Sequence, residues 1–317
     1  MGKLITGIHH VTALASDAQK NIDFYTGILG LRLVKKTVNF DAREVYHFYY
    51  GDEIGRPGSI ITFFPYAGLQ KGRHGKGFVN TTTFSVPFDS MEYWMNRFKK
   101  FNINFKHPQE RFTNEVVIYF EDTDGLGLEL VFNNSDERPG YTYGHIPIEH
   151  SIKGFYHVEL WLDGYERTAA VLTEILDHQL IAESGNRFRF APSAAPGNFV
   201  DIICVPENQQ GRSGSGTVHH VALRTPDNKT QLEVWEKVNS RSLNPTPVAD
   251  RQYFRSIYFT EPGGVLFEVA TCDDTFVKDE SIEHLGESLK LPPLFEKDRG
   301  QIEKALVPVI VDTKKFK

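Results

Sequence analysis

The chain has 317 residues, more than a single hydrophobic core usually supports, so two domains or a set of repeated units are expected. Hydrophobic residues make up 40% and charged residues 24%, which is enough apolar material for a packed interior, and no apolar run is long enough to cross a bilayer. We therefore expect a soluble, cytoplasmic protein with neither a signal peptide nor a membrane span. The net charge of −6 is spread along the chain, which argues against a nucleic-acid partner.

The predicted elements repeat four times along the chain. Each unit begins with a β-branched and aromatic run that opens at or near a glycine, as a strand often does, at residues 7–14, 77–84, 154–161 and 216–223. A helical periodicity follows each run; in the first unit it starts after Ser16-Asp17 and stops at Gly30. Each unit closes with strand-like segments, the last of them covering residues 57–63, 124–130, 196–202 and 262–268.

Such a unit cannot bury the face of its small sheet alone, so the units are expected to pair and curl into half-barrels. The predicted fold class is α+β, with four βαβββ units in two half-barrel domains. A polar stretch at 133–152 predicts an N-terminal domain at 1–140 with units one and two, and a C-terminal domain at 141–272 with units three and four. Residues 273–317 match no repeat and are predicted to form an extension, with a short helix at 300–306, that packs across a domain.

Two cysteines, Cys204 and Cys272, cannot build a disulfide framework or a cysteine-rich zinc site, so any metal would be held by imidazole and carboxylate. Twelve histidines are present, and units one and four both carry His-His-Val in the opening strand, at 9–11 and 219–221. Neighbouring strand residues point to opposite faces, so one histidine of each pair is expected to point into the barrel.

A carboxylate completes this pattern. Glu268 lies between Phe267 and Val269, where an ionised carboxylate is costly unless it binds a cation. Two imidazoles and one carboxylate are the ligand set that suits non-haem Fe(II) and leaves positions open for substrate and dioxygen. Aligning units one and four on their Pro-Gly pairs places Phe63 opposite Glu268, which predicts that no fourth protein ligand is present.

Two further residues compete with this assignment. Unit three has a single histidine, His157, which taken alone is more often a core residue than a ligand. Glu129 closes a similar strand in unit two, but that opening strand has no histidine. We interpret Glu129 as structural or as a remnant of the repeat.

The four-repeat layout, together with residues 7–12, 31–40, 219–268 and 285–293, resembles the hydroquinone ring-cleaving dioxygenases of the vicinal oxygen chelate superfamily, which includes glyoxalases and type I extradiol dioxygenases. The resemblance covers nearly the whole chain and implies the vicinal oxygen chelate fold. It implies that Fe(II), or Mn, Ni or Zn in purified protein, is held by His10, His220 and Glu268. It also places five residues around the substrate: His9, Thr12, His219, Arg251 and Tyr258. The catechol-type enzymes take their first histidine from the third unit, where His157 stands.

The activity implied is insertion of both atoms of O2 into a small aromatic diol, a hydroquinone before a catechol, in aromatic catabolism or quinone detoxification. His219 or His9 would accept the phenol proton, Arg251 would stabilise the oxyanion and Tyr258 would bind the second ring hydroxyl. Arg251 and Tyr258 are an odd number of residues apart, so a bend or bulge between them is required if both line the pocket.

Three alternatives stay open at this point. One is an extradiol catechol dioxygenase, and another is a glyoxalase-like isomerase or lyase that uses its metal as a Lewis acid without oxygen. The last is a metal-free protein that sequesters an aromatic compound. The oligomeric state, with a homo-oligomer among the options, is not determined by the sequence.

Overall fold

The strands of the protein form two separate eight-stranded sheets in a computed structural model that describes residues 2–112, 115–141, 144–273 and 275–317. Units one and two contribute β1 (Gly7–Ala15), β2 (Arg32–Val38), β3 (Tyr46–Gly51), β4 (Ile60–Pro65), β5 (Phe78–Pro87), β6 (Gln109–Arg111), β7 (Glu115–Glu121) and β8 (Gly127–Asn133). Units three and four contribute β9 (Gly154–Leu162), β10 (Gln179–Ser184), β11 (Arg187–Ala191), β12 (Phe199–Cys204), β13 (Thr217–Thr225), β14 (Ala249–Asp250), β15 (Arg255–Thr260) and β16 (Leu266–Thr271).

One helix follows the first strand of each unit, so the predicted βαβββ pattern is confirmed. These helices are α1 (Ala18–Ile22), which continues as a π-helix (Asp23–Ile28), α2 (Met91–Lys100), α3 (Glu166–Glu174) and α4 (Asn228–Ser240). The Asp17 side chain caps α1 by accepting a hydrogen bond from the Lys20 backbone N–H, and Gly30, at φ 68°, ends the helical segment as predicted. Short 3-10 helices lie at Phe88–Ser90, Ile148–His150, Phe276–Lys278, Ile282–His284, Pro293–Asp298 and Lys314–Phe316.

The pairing of the units differs from the prediction. The first sheet has the order β14-β15-β16-β13-β1-β4-β3-β2 and so joins units one and four, whereas the second, β10-β11-β12-β9-β5-β8-β7-β6, joins units two and three. The prediction of one half-barrel from residues 1–140 and another from 141–272 is therefore wrong. The first strand of each unit has one edge that no strand of the same unit pairs with. These edges pair between units instead: β1 pairs antiparallel with β13, and β5 pairs antiparallel with β9.

Large apolar side chains from both sheets and the helices pack into a core that includes the fully buried Trp94, Phe84 and Phe120. The helix predicted near 300–306 is α5 (Arg299–Ala305). It packs with Val38 of β2 in a small apolar cluster, so the extension covers the outer edge of the first sheet. Within the described residues, no helix is long and apolar enough to cross a membrane.

Candidate metal centre

The first sheet brings together His10 from β1, His220 from β13 and Glu268 from β16, a set we call the triad. The two Nε2 atoms are 3.3 Å apart, and Oε2 of Glu268 lies 3.3 Å from Nε2 of His10 and 2.8 Å from Nε2 of His220. All three side chains are buried. Three residues that are far apart in sequence thus present their ligand atoms to one point.

Strand register explains how this convergence arises. Across the antiparallel pair β1 and β13, Thr12 is opposite His220 and His10 is opposite Ala222, so the two histidines are related by the local twofold of the pair. The parallel neighbour of β13 is β16, in which Glu268 is level with Ala222. Both predicted histidine positions and the predicted carboxylate therefore lie on one face of the sheet.

The other histidine of each His-His pair contacts the triad histidine beside it. His9 Nδ1 is 2.9 Å from His10 Nδ1, and His219 Nδ1 is 2.8 Å from His220 Nδ1. Burial, together with the adjacent His10, lowers the pKa of His9 to about 3, so this imidazole is neutral at neutral pH. These contacts orient the two triad imidazoles in the way that a hydrogen-bonded neighbour fixes the ring of a metal-binding histidine.

Glu268 is held by a serine that sequence reasoning missed. Ser256, fully buried on β15, donates a hydrogen bond to Oε1 of Glu268, which leaves Oε2 facing the histidines without a hydrogen-bond donor in the described part of the chain. Burial alone would raise the pKa of this carboxyl, but His10 and His220 hold it well below its usual range. Glu268 is therefore ionised.

These residues fit a divalent metal ion. Ligands bound at about 2.1 Å and at right angles to one another have donor atoms about 3 Å apart, close to the triad distances. If His10 and His220 donate from Nδ1 to their neighbours, two Nε2 lone pairs and an ionised oxygen converge on one point, an arrangement that a cation stabilises. The donor set of two imidazoles and one carboxylate suits iron, manganese, nickel and zinc.

A cavity of about 290 Å³ opens on one side of the triad and brings most of the predicted substrate residues together. Thr12, His219, Arg251 and Tyr258 line it with the triad, whereas His9 lies behind His10 and is not part of the wall. Tyr258 is the strand neighbour of Glu268, and its hydroxyl accepts a hydrogen bond from Arg251 Nε at 3.1 Å.

The interruption predicted between Arg251 and Tyr258 is present as a hairpin turn. Asp250 of β14 pairs with Arg255 of β15, and the Arg251 backbone N–H donates to the Phe254 carbonyl within the turn. This reversal of the chain brings both side chains to one side of the sheet. It also places the Phe254 ring 5.0 Å from the rings of both His9 and His10.

Other cavity residues were missed by the sequence analysis: Asn39, Phe40, His47, Tyr49, Phe64, Tyr66 and Phe254. His47 and Tyr49 are two residues apart on β3, so they share the cavity face, while Phe48 between them is buried in the apolar core. The alternation of cavity-facing and core-facing residues along β3 is the sequence signal that could have identified His47 and Tyr49.

The alignment that paired Phe63 with Glu268 is wrong by one residue. In the structure Thr12 is level with Thr62, as Ala222 is with Glu268, so Thr62 occupies the equivalent position. The turn before β16 has an extra glycine, Gly264, at φ 100°, and a shift of one residue turns a strand side chain to the other face. Phe63 is buried in the core, and Thr62 donates or accepts hydrogen bonds but brings no charge to the site.

His157 and Glu129 lie in the second sheet, in a separate group that we call the arginine cluster. By the same register, Thr83 is opposite His157 and level with Glu129, which makes this group the counterpart of the triad. Guanidinium groups neutralise its carboxylates: Arg111 contacts both oxygens of Glu129 at 2.5 Å. The full cluster contains Arg111, Glu129, His157, Glu159, Arg187, Arg189 and Asp201. His157 is therefore not adjacent to the triad.

Comparison with known proteins agrees with this architecture. The family profile of the "Glyoxalase/Bleomycin resistance protein/Dioxygenase superfamily" matches residues 7–130 and 154–269. The Bacillus subtilis (strain 168) protein named "Putative ring-cleaving dioxygenase MhqO" is 42% identical over 308 residues, covering 97% of this chain and 98% of its own.

A "Chlorohydroquinone/hydroquinone 1,2-dioxygenase" of Sphingobium indicum is 30% identical over 317 residues, covering 97% of this chain and 98% of its own. The crystal structure of a "putative dioxygenase" from Bacillus subtilis superposes with a TM-score of 0.94 at 42% identity, covering 98% of this chain and 99% of that one. By the profile match and by these full-length similarities, this chain belongs to the glyoxalase, bleomycin resistance protein and dioxygenase superfamily.

Proposed function

We propose that this protein is an Fe(II)-dependent dioxygenase that cleaves the ring of a hydroquinone. The observation that carries the proposal is the triad of His10, His220 and Glu268, whose ligand atoms lie 2.8 to 3.3 Å apart beside a cavity. The names of the full-length relatives support ring cleavage, and one of them names a hydroquinone substrate. When bound, Fe(II) supplies open coordination positions for a phenol oxygen and for O2, and a route for electrons between them.

The side chains around the triad are assigned to binding the substrate. Arg251, hydrogen-bonded to Tyr258, places a positive charge and a phenol hydroxyl beside Glu268, where they bind an oxygen anion of the substrate and the second ring hydroxyl. His219 lines the cavity with part of its ring exposed, and burial lowers its pKa to about 4, so it is neutral. With its Nδ1 accepting from His220, it carries its proton on Nε2, and we assign it to donating a hydrogen bond to a substrate oxygen instead of accepting the phenol proton.

The cavity favours a compound with a single ring. Its volume of about 290 Å³ leaves room for one substituted ring, and Phe40, Phe64 and Phe254 are among the residues that line it. Apolar and aromatic walls with a few polar groups are typical of sites that bind small aromatic ligands. Because a hydroquinone reaches one metal ion through a single oxygen, Arg251 and Tyr258 carry more of its orientation than they would for a chelating catechol.

The test is anaerobic reconstitution with Fe(II), followed by metal analysis and O2 consumption with hydroquinones and catechols. We expect about one iron per chain and O2 uptake with hydroquinones, and loss of both in His10→Ala and Glu268→Ala. His284→Ala is the control, because His284 is an exposed histidine in the C-terminal extension. Full iron content and full O2 uptake in either triad variant would refute the assignment.

The same experiment separates the alternatives. Turnover of any substrate under strict anaerobiosis would indicate a glyoxalase-like isomerase, and preference for catechols would indicate an extradiol enzyme. Protein that binds an aromatic compound without stoichiometric metal would be a binding protein. Thr62, at the strand position equivalent to Glu268, brings no carboxylate to the site, and its hydroxyl is hydrogen-bonded to Thr12 and His47, which favours the open coordination of an oxygenase over a closed four-ligand site.

A further inference from the structure

A continuous line of hydrogen bonds runs from the cavity wall into the strand that carries His10. The Tyr49 hydroxyl is 2.9 Å from His47 Nδ1, and His47 Nε2 is 2.9 Å from the Thr62 hydroxyl. The Thr62 hydroxyl is in turn 2.8 Å from the Thr12 hydroxyl. All of these side chains are buried, and none belongs to the triad.

The line can run in two directions, and the direction decides what Thr12 offers to a ligand. If Tyr49 donates to His47, then His47 carries its proton on Nε2 and donates to Thr62, Thr62 donates to Thr12, and the Thr12 proton is free to face the cavity. If the direction is reversed, Thr12 donates to Thr62 and presents only lone pairs to the cavity. A threonine hydroxyl has a single proton, so these states exclude each other.

The environment of Tyr49 selects the first direction. In the described part of the chain, the Tyr49 hydroxyl makes its hydrogen bond to His47 alone, and its side chain is about 1% exposed. In the reversed direction the free proton is on Tyr49, whose ring packs against Tyr253 and Phe276, whereas in the first direction it is on Thr12 beside the triad, where an oxygen of a bound ligand can accept it. Burial, aided by the nearby Tyr258 and Glu268, raises the pKa of Tyr49 well above its usual value, so the phenol keeps this proton. Burial also lowers the pKa of His47, which is therefore neutral and has one protonated nitrogen.

We propose that Tyr49, His47 and Thr62 are positioning residues that fix the Thr12 hydroxyl as a hydrogen-bond donor to an oxygen anion in the cavity. Thr12 is two residues from His10 on β1, so it lies on the same face and borders the space beside the triad. The ligand class selected is one with an ionised oxygen at this point, such as a phenolate, over one with a hydroxyl donor there. The consequence for turnover rests on the proposed function, whereas the proton positions do not.

The proton position on His47 is measured directly by nitrogen-15 NMR of the full chain labelled in its histidine imidazoles, recorded with and without Zn²⁺ as a diamagnetic metal. The resonances of His47 are assigned by their loss in His47→Gln and by their displacement in Thr62→Val. We expect Nε2 to be protonated and Nδ1 unprotonated. Tyr49→Phe, which removes the donor, is expected to populate the opposite tautomer. A His47 protonated on Nδ1 in the unmodified protein overturns the proposal, whether or not any substrate is turned over.

Steady-state kinetics then test the action through Thr12. We expect Thr62→Val to lower kcat/KM for hydroquinone by about 10- to 100-fold, the effect of losing one hydrogen bond to a charged oxygen, and Thr62→Ser to restore it. In a Thr12→Val background, Thr62→Val should have little further effect, because its partner is already absent. Iron content should be unchanged in all of these variants. Additive losses would overturn the proposal, while absence of hydroquinone turnover in the unmodified protein with the expected His47 tautomer would refute only the proposed function.

Discussion

Replacement of Arg111 by methionine removes the cation that neutralises two buried carboxylates in the second sheet. Arg111 contacts Glu129 at 2.5 Å through both terminal nitrogens and Glu159 at 2.8 Å. The arginine side chain is 18% exposed, whereas those of Glu129 and Glu159 are 1% and 5% exposed. Methionine keeps most of the apolar volume of the side chain, so the substitution mainly tests the charge.

The expected loss of stability follows from leaving one side of a buried ion pair unpaired, which costs about 3–5 kcal/mol. Burial and the neighbouring Glu159 already raise the pKa of Glu129, and loss of Arg111 should raise it further. A carboxyl whose pKa is raised by folding binds more protons in the folded state than in the unfolded state. The stability of the variant relative to the unmodified protein should therefore recover as the pH falls from 8 towards 5.

The assay is urea unfolding at both pH values, with and without Zn²⁺, carried out in a His10→Ala background so that the triad does not contribute. Glu129, His157 and Glu159 could hold a metal once the guanidinium is gone, and binding at 100 times the dissociation constant would restore about 2.7 kcal/mol. Arg43→Met is the control, because Arg43 forms an exposed ion pair expected to contribute about 0–1 kcal/mol. A loss below about 1 kcal/mol, or the same loss at both pH values, would refute this account of the arginine cluster.

Three further predictions concern buried polar groups. Lys35→Met should destabilise the protein by about 3–5 kcal/mol in urea unfolding and expose the C-terminal extension to limited proteolysis, because the buried Lys35 pairs with the buried Glu280 of that extension; unchanged proteolysis would contradict it. Burial lowers the pKa of His178 to about 4, so as the pH falls below 6.5 this histidine binds a proton in the unfolded protein before it does so in the folded protein. The free energy of unfolding therefore decreases between pH 7 and 5, and His178→Asn should reduce that decrease by about 2 kcal/mol. Ser256→Ala should weaken metal binding at Glu268 by about 10- to 100-fold in competition with a chelator, and equal affinity would show that this hydrogen bond does not orient the ligand.

The repeat pattern was predictable because it rests on local signals. Strand starts at glycine, helix caps and the duplicated His-His-Val sequence are each read within about ten residues, and each corresponds to an element found in the structure. The convergence of one histidine from each pair on Glu268 follows from the alternation of side chains along a strand.

The pairing of the units was not predictable in the same way. All four units present a similar free edge, and the choice between neighbours depends on contacts between residues far apart in the chain, such as Thr12 with His220 and Thr83 with His157. The register error at Phe63 has a local cause instead. The additional glycine before β16 shifts the closing strand by one residue, and an alignment on Pro-Gly pairs alone does not detect it.

Comparison of the two sheets shows why the triad fits a metal while its counterpart does not. In the second sheet the buried carboxylates of Glu129, Glu159 and Asp201 each form an ion pair with an arginine of the same sheet. The compensating positive charge there belongs to protein side chains, and the guanidinium groups fill the space beside the carboxylates. In the first sheet, Arg251 is hydrogen-bonded to Tyr258 at the cavity wall and does not form an ion pair with Glu268 in the described structure. One ionised carboxylate and two imidazoles then face one another, and no arginine or lysine of the described residues forms an ion pair with that carboxylate. Because an uncompensated buried carboxylate is costly, the fold itself favours an external cation at this position, and the cavity beside it leaves room for ligands other than protein.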